Sequence, residues 1–148
     1  MLTSIKKIIV SMVLVVAFLS CDQGPSLQKF YVDNELKPGF TSLDIPTSFL
    51  NIDESKLSDV QRQAYESVDK LNMLGFFLND ENQEEYEMEL AKITEILKDP
   101  QYEELMRGGN STDGKFVVKF VGEVDEIDEL ILFGHANDKG FAVIRILG

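Results

Sequence analysis

From Phe116 to Gly148 the chain reads FVVKFVGEVDEIDELILFGHANDKGFAVIRILG, and this stretch decides the fold. Three runs in it are strand-like: Phe116 to Val121 alternates about Lys119, Leu130 to Phe133 is wholly apolar, and Phe141 to Leu147 carries Arg145 as its one charge. Turn-forming residues separate them near Glu123 to Asp128 and at Asn137-Asp138-Lys139-Gly140. Short apolar runs joined by such turns predict a three-stranded antiparallel meander.

Period-two alternation assigns faces to these strands. Phe116, Val118 and Phe120 share one face, while Val117 and Val121 lie on the other. Ala142, Ile144 and Ile146 oppose Phe141, Val143, Arg145 and Leu147. A sheet with one wet face would place polar residues at every second position, and this one does not. Its second face therefore needs a cover. Residues 27–52 are the first candidate, a second subunit the next and a bound ligand the third. Arg145 prefers water, so Ala142, Ile144 and Ile146 are expected against the helices.

Upstream, Leu71 to Leu78 is apolar with Phe76 and Phe77 and suits a fourth, buried strand. A helix is expected over 58–70, opened by a Ser58/Gln61 capping box and striped by Val60, Ala64, Val68 and Leu71. A second follows behind Asp80, with Tyr86, Leu90, Ile93 and Leu97 inward and Glu84, Glu85, Glu87, Glu89 and Glu95 outward. Pro100 ends it and opens a short third helix that Gly108-Gly109 stops. Residues 27–52 stay open: Leu27, Phe30 and Tyr31 have helical spacing, whereas Phe40 to Leu50 around Pro46 fits a helical turn or an interrupted edge strand. The fold class is α+β: an antiparallel sheet of about four strands, the meander plus one earlier strand, packed on two or three helices.

The amino terminus has a different composition. Lys6 and Lys7 precede Ile8 to Leu19, twelve residues apolar except for Ser11. That is too short for a bilayer-spanning helix, which needs ~20 residues, and it suits the apolar core of a secretory signal. Phe18-Leu19-Ser20-Cys21 then places a small residue before the chain's one cysteine. A lone cysteine in an exported protein has no internal disulfide partner. Thioether lipidation of Cys21 accounts for it, and several acyl chains on one residue hold a membrane firmly. The expected organisation is a signal peptide over 1–20, a lipidated cysteine and tether over 21–26, and one α+β domain over 27–148.

Lys and Arg number 14 against 26 Asp and Glu. Removing residues 1–20 takes two lysines and no acid, so the remainder stands at 12 minus 26, or −14. That charge repels phosphate backbones and makes nucleic acid a poor partner. It also opposes docking on an anionic leaflet, so membrane attachment falls to the lipid on Cys21.

No residue pattern spells a catalytic centre. His135 is the one histidine and sits beside the 137–140 turn, where a structural or solvated role is the simplest reading. A metal site needs further nitrogen or sulfur ligands, so neither a metal nor another cofactor is expected. No Gly-x-Ser-x-Gly elbow frames a nucleophile. Asp125, Glu126, Asp128 and Glu129 read as a solvated turn without the twelve-residue calcium loop. Glu84, Glu85, Glu87 and Glu89 read as a solvated helix face. Gly108-Gly109 and Gly114 flank a polar loop, but no phosphate-binding signature follows. The chain is not expected to be an enzyme.

Three segments resemble a known family. They are Tyr102-Glu103-Glu104-Leu105-Met106 before the glycine break, Glu129-Leu130-Ile131-Leu132-Phe133-Gly134, and Gly140 to Gly148. Together they resemble the domain of unknown function 4252, small exported lipoproteins of Bacteroides-like bacteria, over most of residues 40–148. The resemblance brings no catalytic residues. It implies the cell envelope, and with Asp22 as the only acid just after Cys21 it favours a periplasm-facing anchor, surface display being the other arrangement. The expected function is a non-catalytic binding or interaction domain held on the membrane, with an envelope protein or a second copy as partner. The alternative is a small-ligand or lipid carrier with a pocket between sheet and helices.

Overall fold

A computed structural model describes residues 24–148; the signal segment and Cys21 lie outside the described residues. The chain runs α1 (Leu27–Asn34), β1 (Phe40–Pro46), two short 3-10 turns, α2 (Asp59–Glu66), β2 (Lys70–Phe77), α3 (Gln83–Ile96), β3 (Glu103–Asn110), β4 (Gly114–Glu123), β5 (Glu126–Ala136) and β6 (Gly140–Leu147). The α+β class and the antiparallel meander are as expected, but the sheet has six strands rather than about four. Their order is β1-β2-β6-β5-β4-β3, and every neighbouring pair is antiparallel.

One extra strand comes from a segment read as helix, the other from a segment left open between a helical turn and an interrupted edge strand. Residues 103–107 were expected in a third helix, yet Asp99 supports only one turn, with its carboxylate accepting from the Gln101 amide at 3.0 Å. Tyr102 is then pulled into the core, where its hydroxyl accepts from the Leu27 amide at 2.9 Å. Past it the chain extends and pairs with β4, with a bulge between Glu104 and Met106. Residues 40–46 form the opposite edge strand. Its only proline, Pro46, stands at the strand end, where the missing amide costs the ladder little.

The helices also depart from the expected boundaries. The Ser58/Gln61 capping box is present, but α2 ends at Glu66, which leaves Val68 and Leu71 of the expected stripe outside the helix. No residue of α2 is buried, and Val60 is 77% exposed. In α3 the cap is Asn82 rather than Asp80. The Asn82 side chain instead ties the preceding turn, accepting from the Asn79 amide at 2.8 Å and donating to the Phe77 carbonyl at 3.0 Å.

Of the described helices, only α1 and α3 build the core. Leu27, Phe30 and Tyr31 from α1 join Tyr86, Ile93 and Ile96 from α3 and Leu97 just after it. They pack on Leu74 and Phe76 of β2, Ile131 and Phe133 of β5, and Phe141 and Val143 of β6. Phe76 stacks on Phe141 at 5.8 Å, and Phe40 meets Phe76 edge-on at 5.0 Å. This overturns two expectations. The helices sit on the face of Phe141, Val143 and Arg145, not on that of Ala142, Ile144 and Ile146. Residues 27–46 do not cover the second face either, because α1 joins the helical layer and β1 widens the sheet.

Arg145 explains the reversal. It is 4% exposed, and its burial is met by geometry rather than by water. Its Nε and Nη2 donate to the two carboxylate oxygens of Glu129 at 2.5 and 3.3 Å, and its Nη1 donates to Gln28 Oε1 at 2.6 Å. A fork held this way satisfies a guanidinium without solvent. Glu89, expected outward, is likewise buried at 1% exposure, with one oxygen accepting from Lys37 at 3.1 Å and Lys92 at 3.0 Å.

Candidate functional site: an open apolar sheet face

The strand register lines up the residues that the helices leave uncovered. One row crosses all six strands through Leu43, Met73, Ile144, Leu132, Val118 and Met106. A parallel row runs through Ile45, Leu71, Ile146, Leu130 and Phe120 to Glu103, and a third through Thr41, Gly75, Ala142, Gly134, Phe116 and Gly108. Glu103, at the edge, is the one charged side chain in the three rows. Leu43 is 48%, Leu132 36% and Met106 54% exposed, and Phe77 and Phe116 are exposed as well. Of the apolar side chains in these rows, only Phe120 is buried.

Small residues in the third row let aromatic rings lie down on the sheet. A methyl group at Gly108 would come within 2.7 Å of the Phe116 ring. The ring thus occupies the space above the glycine and flattens the surface toward β3. At the 137–140 turn, Gly140 has φ +123° and approaches the Phe76 carbonyl so closely that no Cβ fits, so β6 enters the sheet tight against β2.

Polar chemistry is concentrated on the covered face. Tyr31 Oη donates to Asp44 Oδ1 at 2.6 Å, and Asn72 Nδ2 donates to the same oxygen at 2.5 Å. The bond from Tyr31 is the main reason the Asp44 carboxyl is held below its ordinary range. Burial, followed by the hydrogen bond and charge of Asp44, pushes the Tyr31 hydroxyl well above its usual value. Sequence reasoning missed this trio. Its signal was Asp44 and Asn72, polar residues each flanked by apolar neighbours, Leu43 and Ile45 in β1 and Leu71 and Met73 in β2.

The residues singled out from the sequence do not converge. Asp125, Glu126 and Asp128 are exposed around the β4–β5 hairpin, while Glu129 turns inward to Arg145. Glu84 and Glu87 are exposed on α3, whereas Glu89 is buried. His135 stacks on Phe133 at 5.9 Å, and its buried Nδ1 has no partner among the described residues. Burial, and then the nearby Lys115 charge, lower its pKa. No helix of the described residues is long and apolar enough to cross a membrane.

This domain, from within α1 to its last strand, is a recognised family unit: residues 31–148 match the model described as a domain of unknown function, DUF4252. The chain belongs to the DUF4252 family. The resemblance read from residues 102–106, 129–134 and 140–148 is to that family, and the match extends it back to Tyr31. No curated protein and no solved structure matches the chain.

Proposed function

We propose that this DUF4252 domain is a non-catalytic interaction module of the cell envelope, held to the membrane by lipid on Cys21 and binding protein through its open sheet face. The observation that carries the reading is the uninterrupted apolar row from Leu43 to Met106. Contiguous exposed apolar surface of several hundred Å² marks interaction sites.

The occupant that fits is a second copy of the chain. Five inter-strand spacings of ~4.8 Å by three rows at ~6.6 Å make a face of roughly 500 Å². Two such faces bury about 1,000 Å² in total, the lower bound for a specific protein contact. Sheets pack face to face about 10 Å apart with side chains interdigitating, and a two-fold axis satisfies both copies with one surface. Charge points the same way. Bodies at −14 each repel, and the nearly uncharged sheet face is where they meet at least cost.

A photo-crosslinking residue at position 132 in cells tests the reading, with one at the exposed Asp33 as control. Crosslinked homodimer from position 132 alone is expected. Equal products from both positions, or none from 132, overturn it. Cys21→Ser, fractionated in parallel, is expected to leave the membrane fraction or to accumulate as precursor. A mature-sized variant still in that fraction contradicts the lipid anchor.

A further inference from the structure

The helical layer does not reach the far edge of the sheet. Beyond Thr94, Leu97 and Lys98 near the end of α3, the covered faces of β3, β4 and β5 form a trough of about 360 Å³. Its floor is apolar, with Leu97, Val117 and Phe133. Its charged rim is cationic: Lys98, Arg107, Lys115 and Lys119 stand there against one acid, Glu104. The chain has 14 Lys and Arg, of which two lie in residues 1–20, so four of the remaining 12 converge on this one depression. In a domain at −14, that is a local reversal of sign.

The cations are underused. Lys119 donates to the Tyr102 carbonyl at 3.0 Å, a neutral acceptor. Lys98 pairs with Glu95 at 2.8 Å with both side chains exposed, and such pairs hold little. Arg107 is the exception, with Nε and Nη2 donating to the two carboxylate oxygens of Glu104, which leaves Nη1 for a ligand. Lys115 has no ion-pair partner among the described residues, and the buried Nδ1 of His135, on the same wall, has no partner either. Cations outnumber the one acid around an apolar floor of a size that small ligands occupy, ~300–1,000 Å³.

We propose that this trough binds a small amphiphilic anion, a carboxylate on a short apolar body. The carboxylate sits among Lys115, Lys119 and Arg107, and the apolar body lies on Val117, Phe133 and Leu97. The site lies on the helix-covered side, meets the open face only at its edge, where Gly108 and Phe116 border both, and does not depend on the interaction reading.

Octanoate is the probe, titrated calorimetrically into the anchor-free domain (residues 22–148), with octylammonium and inorganic phosphate as comparators. Octanoate is expected to bind saturably at one site, octylammonium not at all, and phosphate more weakly than octanoate. Lys115→Glu is expected to weaken octanoate at least tenfold. Lys56→Glu, an equal charge change at an exposed lysine elsewhere, is expected to leave it unchanged. Should Lys115→Glu fail to fold, Arg107→Gln takes its place, with the same loss expected. Leu132→Lys, on the open face, is expected to bind octanoate like the unaltered chain. Octylammonium binding as well as octanoate, equal affinities in the Lys115→Glu and Lys56→Glu variants, or loss of binding in Leu132→Lys would each overturn the site. None of these outcomes bears on self-association.

Discussion

On the side of the sheet that α1 and α3 cover, the strands carry Asn72, Arg145, Glu129, Lys119 and His135 among their apolar residues. On the other side the same strands carry Leu71, Met73, Ile144, Leu132 and Val118. The polar residues are affordable inside because they meet one another or the helices: Arg145 with Glu129 and Gln28, Asn72 and Tyr31 with Asp44. The apolar residues outside have no such partners within the described residues. Hydropathy alone does not decide burial in this domain: Arg145 and Asn72 are buried because they find partners, while the buried His135 Nδ1 and one Glu89 oxygen have none among the described residues.

The contrast is broken most directly by truncation on each side. Phe141→Ala empties a stacked aromatic cluster and is expected to cost ~3–5 kcal/mol in urea unfolding, as buried aromatic truncations do. Ile144→Ala, at a half-buried position in the open row, is expected to cost distinctly less in the monomer, ~1–2 kcal/mol, below the range for fully buried Ile truncations. Comparable losses at the two positions would mean that the open face is packed after all.

Arg145→Ala is expected to cost ~3–5 kcal/mol, because it strands the Glu129 carboxylate without its partner. Replacing both together, Arg145→Met with Glu129→Leu, is expected to recover most of that loss in the same denaturant series. Failure to recover would show that Gln28 and the shape of the fork matter more than the unpaired charge.

How far the sequence disclosed these faces depends on the segment. The meander was legible because its strands carry strong apolar runs and its turns carry Asn, Asp and Gly. The register that opposes Ala142, Ile144 and Ile146 to Phe141, Val143 and Arg145 was legible too. Which set faces the helices was not, because a lone arginine argues for water unless its partners are known. Glu129 lies 16 residues away and Gln28 lies 117. β3 was hidden by Pro100 and by a glycine pair that resembles a helix stop. Its strand state comes from pairing with β4, a tertiary contact that local propensity does not report. The cationic trough was half legible, since alternation places Lys115 and Lys119 on one face of β4 with Val117 between them.

A smaller effect sharpens the picture at the trough. Burial lowers the His135 pKa, so the folded domain binds that proton less readily than the unfolded chain does. The stability His135 contributes is full above the unfolded value of ~6.5 and is lost as pH falls from there through the folded pKa. Urea midpoints measured between pH 7.5 and 5 are expected to fall more for the natural chain than for His135→Gln. Identical slopes would remove His135 from the account.

Sedimentation equilibrium of the anchor-free domain shows whether the face from Leu43 to Met106 binds protein. Its weight-average mass is expected to rise from monomer toward dimer as concentration increases through the micromolar range. Added salt should favour the dimer, because it screens −14 against −14. Leu132→Lys, folded by circular dichroism, is expected to remain monomeric throughout. A natural domain that stays monomeric across that range, or a Leu132→Lys variant that dimerises equally well, would contradict the claim.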